Sequence, residues 1–160
     1  MKLNHFIGIL SVLTLAACGS QDSNEETSIQ GNAGKVFTAP LNSYRISSGY
    51  GNRSRGFHPG VDFAAPGGTP VKSISAGVKR SGSPEGACGN VVRMSHSLAG
   101  VNWQSRYCHL SSFAGINGRF YSQNTTIGRV GSTGRSTGPH LHLELYRNGA
   151  LQNPSGWIRL

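Results

Sequence analysis

Residues 136–146 read STGPHLHLELY, and the alternation inside them decides the fold class. In an extended strand successive side chains point to opposite faces. His140, His142 and Glu144 therefore share one face, and Leu141, Leu143 and Leu145 the other, which is the face to bury. A helix would not sort these residues in this way. From residue 35 onward Gly and Pro interrupt the chain every few residues, and no stretch keeps apolar side chains at helical spacing for more than about a turn. The reading is all-β, with short strands expected at residues 60–63, 70–75, 90–96, 103–109 and 140–146, each bounded by turn formers. The candidates 90–96 and 103–109 flank a short loop containing Gly100, a hairpin signature. Opposed residues of an antiparallel pair have a constant sum. The sum for Cys88 and Cys108 puts the pairing centre at residue 98, inside that loop, so the two cysteines are expected to face each other and a disulfide to staple the hairpin.

Two histidines at i and i+2 on one strand reach the same small volume, although both need not bind a metal. Residues 56–63, GFHPGVDF, add His58 and Asp62, an imidazole and a carboxylate that are ordinary Zn²⁺ ligands. Pro59 and Gly60 between them form a turn that can bring the two side chains together. The cysteines are too few and wrongly spaced for a thiolate site. Three protein ligands with an open position mark a catalytic zinc, so the donor types point to hydrolysis. Another imidazole is then wanted to move protons near neutral pH. The glycine-rich GSTGRSTG at 131–138 lacks the Lys ending of a phosphate-binding loop and precedes a strand, which sets nucleotide binding aside.

Working outward, 160 residues hold one domain plus a short extension. Lys2, the apolar stretch from Phe6 to Leu15 and the small residues Ala16 and Ala17 form an export leader at residues 1–17. Its apolar core is shorter than the roughly 20 residues a membrane span needs. The sequence LAAC resembles the bacterial lipobox, which makes Cys18 the expected lipidation site. Residues 18–34 are polar and read as a disordered tether, and 35–160 as the folded domain. Gly19 stands where an aspartate would resemble an inner-membrane retention signal. The expectation is a lipid-anchored envelope protein, on the outer membrane facing the periplasm where the cell has one. Export also permits a disulfide, and the remaining pair, Cys88 and Cys108, is expected to be bonded. Fifteen Lys and Arg against six acids give a formal net charge of +9, which suits a polyanionic neighbour. Nucleic acid is disfavoured by export and by the lack of an aromatic and basic recognition motif.

Five stretches, in order, resemble one family. They are SGYGNRSRGFHPGVDF at 48–63, APGGTPVKSISAG at 65–77, GNVVRMSH at 89–96, YCHL at 107–110 and GSTGRSTGPHLHLE at 131–144. Together they resemble the lysostaphin-like, LytM-type peptidoglycan endopeptidases across almost all of residues 45–154. The departure is at 113–130, FAGINGRFYSQNTTIGRV, which follows the family loosely. The resemblance implies packed antiparallel sheets forming a groove with one zinc on its floor and little helix. It makes His58, Asp62 and His142 the ligands and places His109 and His140 beside the reacting water, with their division of labour open. The implied activity is zinc-dependent hydrolysis of the peptide cross-links of cell-wall peptidoglycan by a monomer. Stem peptides and cross-bridges would be the partners. Members that have lost ligands act as non-enzymatic activators, so a wall-binding lipoprotein of the same fold is the alternative. Both D-alanyl cross-links to a diamino acid and glycine-rich bridges remain open as substrates. His96 is expected to be structural.

Overall fold

The computed structural model describes residues 34–54 and 56–160. The leader, Cys18 and the tether up to residue 33 lie outside the described residues. Strands follow one another along the whole domain: β1 Phe37–Thr38, β2 Arg45–Ser48, β3 Gly51–Arg53, β4 Gly56–His58, β5 Val61–Ala64, β6 Pro70–Lys72 and β7 Gly77–Pro84. After a 3₁₀ turn at Gly86–Cys88 come β8 Asn90–Leu98, β9 Val101–Cys108, β10 Ser112–Phe113, β11 Phe120–Tyr121 and β12 Thr126–Arg129. β13 His140–Arg147 and β14 Ala150–Gln152 are followed by a second 3₁₀ turn, Pro154–Gly156, and by β15 Ile158–Arg159. The all-β expectation holds.

The main sheet is antiparallel and runs β11-β7-β8-β9-β13-β5-β2, with β14 beside β13. A smaller antiparallel sheet, β10-β12-β6, shares its core, and β1 pairs with β15 in parallel. β13 is central, and its alternation is the expected one. Leu141, Leu143 and Leu145 are fully buried with Val61 and Phe63 of β5, Val92 and Met94 of β8, and Tyr107 of β9. Burying each such side chain contributes about 1.5–3 kcal/mol, and Leu143→Ala would cost about 2–5 kcal/mol through the cavity left behind. Val71 and Ile127 bring the smaller sheet onto the same cluster.

Two readings of the strands need correction. The β8-β9 hairpin pairs His96 with Trp103 and Leu98 with Val101, so it centres between Ala99 and Gly100 and not on residue 98. Ala99 and Gly100 have φ of 48° and 75°, the left-handed pair that a two-residue hairpin turn requires. The ladder therefore does not oppose Cys88 to Cys108. Cys88 instead ends the 3₁₀ turn before β8, and its carbonyl accepts from the His109 backbone N at 2.8 Å. That turn brings the two cysteines side by side. Their sulfurs lie within 4.8 Å of each other, unbonded. The strand expected at 70–75 stops at Lys72.

Candidate metal centre

β5 and β13 are paired so that Asp62 lies opposite His142, and β13 and β9 so that His142 lies opposite Cys108. One rung along, Glu144 lies opposite Arg106, which itself faces Arg93 on β8. Because opposed residues share a face, the register alone builds two polar rows on the side of the sheet away from the leucines. His58 joins the first row from the end of β4. Its Nδ1 donates to the Gly49 carbonyl at 2.6 Å, and its Nε2 is turned toward the row.

The three donors converge. His58 Nε2 lies 3.1 Å from Asp62 Oδ1 and 3.0 Å from His142 Nδ1, and Asp62 Oδ1 lies 2.7 Å from His142 Nδ1. Tetrahedral zinc bonds of about 2.0–2.1 Å would separate ligand atoms by roughly 3.3 Å, so this triangle needs only a few tenths of an ångström of expansion to face one ion. His58 and His142 are buried, and the residues fit a zinc site with its remaining position open to the groove. Gly60 makes the approach possible: a Cβ there would collide with the Leu143 carbonyl and lie 2.7 Å from His142 Cε1.

Without metal, the same contacts compete for protons. Burial disfavours a charged His142, yet hydrogen bonds to Asp62 and Glu144 outweigh it and raise its pKa to about 9. Asp62 is lowered, burial being overcome by its bond to His142. Behind the centre, Glu144 accepts from His142 Nε2 at 3.3 Å, from the Tyr146 hydroxyl at 2.6 Å and from Arg106 at 3.2 Å. Arg106 in turn reaches Glu85, which Arg93 holds bidentately. Burial raises the Glu144 pKa, but these partners lower it to about 2. A carboxylate that takes the N–H of a ligating imidazole fixes its tautomer and strengthens it as a donor. Nothing in the motif spacing marked Glu144 for this task; its place on the histidine face of β13 was the available signal. Cys88, Cys108 and Glu144 form a second set of possible donors, but Arg106 already occupies both Glu144 oxygens.

His109 and His140 stand on the rim, their rings 4.7 Å apart and His109 6.0 Å from His142. His109 has φ of 64°, a conformation that costs a non-glycine residue about 1–3 kcal/mol. Its Nδ1 donates to the Thr133 carbonyl at 2.8 Å, and His140 Nδ1 donates to the Gly138 carbonyl at 2.8 Å. Both rings thus have Nε2 left for the groove. Burial lowers the His109 pKa. The loop carrying Thr133 is packed against the 3₁₀ turn, since a Cβ on Gly134, with φ of 70°, would collide with the backbone of Ala87 and Gly89. His96 lies elsewhere, buried between the Ala76 carbonyl and Ser105, as a structural residue should.

All five residues singled out around the metal line one groove of about 580 Å³, together with Arg53, Phe57, Arg135 and Thr137. The sequence matches Peptidase family M23 over residues 56–154, and the chain belongs to that family. Among its relatives, the DD-carboxypeptidase/endopeptidase Mpg of Neisseria meningitidis is 44% identical over 121 residues, 72% of this chain and 27% of that protein. The peptidoglycan DD-endopeptidase ShyC of Vibrio cholerae is 37% identical, over 72% of this chain and 28% of that protein. The chain thus spans about a quarter of the length of the curated relatives it matches. The catalytic domain of lysostaphin from Staphylococcus simulans superposes with a TM-score of 0.65 at 36% identity, covering 71% of this chain and 91% of that one. A zinc-containing peptidase from Vibrio cholerae superposes with a TM-score of 0.68 at 29% identity, covering 76% and 40%.

Proposed function

We propose that this chain is a zinc-dependent endopeptidase that hydrolyses peptide cross-links of bacterial cell-wall peptidoglycan. The observation that carries the reading is the convergence of His58, Asp62 and His142 on one point of a groove whose rim bears two further imidazoles. The names of the relatives, DD-endopeptidases and lysostaphin, support the substrate class. A complete ligand set argues against the non-enzymatic alternative.

Zinc held by His58, Asp62 and His142 would supply a Lewis acid for the scissile carbonyl and acidify water. His109 is the base: Thr133 fixes its Nδ1 proton, and burial keeps the ring neutral, so Nε2 takes the proton of the attacking water. It then passes that proton to the leaving nitrogen. His140, oriented by the Gly138 carbonyl, turns its ring into the groove beside His109, where it would stabilise the oxygen that gains charge. Thr133 and Glu144 act through the imidazoles they orient.

The envelope location belongs to the same proposal. An anchor at Cys18 would hold the domain near the wall, and a Cys88–Cys108 disulfide in the oxidised protein would brace the backbone next to His109. Closing a loop of about 20 residues is worth roughly 3 kcal/mol in the chain-entropy model. Labelling with palmitate and alkylation of protein from its own envelope check the two modifications; unlabelled protein or two reactive thiols would remove them. The activity itself is tested by incubating purified protein with sacculi, with and without a zinc chelator. Solubilisation that the chelator abolishes and zinc restores supports the reading, and intact sacculi at full zinc occupancy would overturn it.

A further inference from the structure

Arg135 lines the groove with the metal centre, and the domain offers it no carboxylate side chain. Among the described residues the acids are Asp62, Glu85 and Glu144. Asp62 is engaged by imidazoles, Glu85 by Arg93 and Arg106, and Glu144 by Arg106, Tyr146 and His142. The Arg135 side chain is exposed, but the backbone that carries it is held in place. Its backbone N donates to the Ala87 carbonyl at 2.8 Å, and the next residue, Ser136, bonds Ser132 at 2.9 Å and the Gly138 carbonyl at 2.8 Å. The same short loop runs into His140. A guanidinium is thus carried on pinned backbone, five residues from a rim histidine and with no side-chain carboxylate paired to it among the described residues. Arg53 contributes a second cation to the groove lining, tied to the Ser48 hydroxyl at 2.6 Å.

We propose that Arg135 determines specificity by pairing with a free carboxylate borne on the same carbon as the scissile nitrogen. The inference rests on the endopeptidase reading and deepens it. Guanidinium forks suit carboxylates bidentately. In wall peptides cut after D-alanine, the leaving amine belongs to an α-amino carboxylate in two cases. One is a cross-link to the α-amino group of a 2,6-diamino dicarboxylic acid, and the other is a terminal D-alanine. A lysine side-chain amine or the interior of a glycine bridge offers no such group. Hydrolysis breaks the amide C–N bond, adding the water oxygen to the carbonyl carbon and a proton to the leaving nitrogen. The recognised carboxylate leaves unchanged on the amine.

The test measures kcat/KM of the zinc-loaded protein on D-alanyl peptides that differ only in the leaving group. These are the diamino dicarboxylate with its carboxylate free, the same residue as carboxamide, a terminal D-alanine, and a continuing glycine chain. A hydrogen-bonded ion pair predicts a preference for free carboxylate over carboxamide of about 10- to 100-fold, expressed in KM. The two carboxylate substrates separate cross-link from terminus as the source. Arg135→Gln should collapse the preference toward one, and Arg135→Lys should restore it in part. Equal cleavage of carboxylate and carboxamide by the unaltered protein would overturn the proposal without recourse to any variant, as would discrimination retained by zinc-loaded R135Q. Cleavage of no peptide and no sacculus would remove the endopeptidase reading beneath it, whereas indiscriminate cleavage removes only the role of Arg135.

Discussion

Replacing Glu144 by Gln removes a negative charge from behind the metal centre while preserving shape. The carboxylate is buried and accepts from His142, Tyr146 and Arg106. At about 1.4 kcal/mol per pH unit, lowering its pKa from 4.5 to about 2 is worth about 3 kcal/mol of stability in the zinc-free protein. A depressed carboxylate contributes that stability above pH 4.5 and loses it as pH falls toward 2. Glu144→Gln should therefore be less stable than the unaltered protein by about 3 kcal/mol at pH 7, with the gap closing below pH 4.5. Arg106 keeps Glu85 at 3.1 Å, which holds the loss at the lower end of the cost of breaking a buried pair. Weakening the acceptor on His142 Nε2 should also weaken zinc binding by about 10- to 100-fold. Denaturant titration of the apoprotein at several pH values reads the first effect, and competition against a fluorescent chelator the second. Unchanged zinc affinity would refute the positioning of His142 by Glu144, even if stability fell.

His142→Ala and Asp62→Ala should lose zinc by metal analysis, whereas His109→Ala and His140→Ala should keep it and lose about 10²- to 10⁴-fold in hydrolysis. Loss of zinc from either rim variant would move that histidine among the ligands. Because the His142 pKa is raised to about 9, zinc must displace a proton at neutral pH. Apparent affinity should fall about tenfold per unit as pH drops below 9, and calorimetry in buffers of different ionisation heat should detect the released proton. In the zinc-free protein the stability owed to that proton is complete below pH 6.5 and disappears as pH rises through 9. Gly60→Ala, forced against Leu143 and His142, should cost about 1–3 kcal/mol and lower zinc occupancy; a variant with normal stability and metal content would contradict the packing described for Gly60.

Part of the site was legible: strand periodicity sets His140 and His142 on one face, and the turn residues Pro59 and Gly60 bring His58 near Asp62, whereas the meeting of the two pairs came from the family resemblance and is made by the β5–β13 register. The hairpin at 90–108 was legible too, but its register was not. The left-handed turn at Ala99 and Gly100 shifts the pairing by three in the summed numbers, and only tertiary contacts of the 3₁₀ turn bring Cys88 back to Cys108. β7 escaped notice because GVKRSGSP lacks an apolar alternation; its buried Lys79 is satisfied by the Ala114 and Gly115 carbonyls, partners that lie 35 and 36 residues away. The loosely matching stretch at 113–130 folds as β10 to β12 against β6 and β7, pairings between distant segments. The roles of Glu144 and Arg106 depend likewise on cross-strand register, which no local pattern encodes.

The most direct test of a zinc endopeptidase is mass spectrometry of sacculi treated with zinc-loaded protein and then trimmed by a muramidase. The account predicts that cross-linked dimers fall and that peptide-linked monomers rise, each cut adding the mass of one water, with His142→Ala leaving the dimers intact. Cross-linked dimers undiminished after treatment with fully zinc-loaded protein would contradict it.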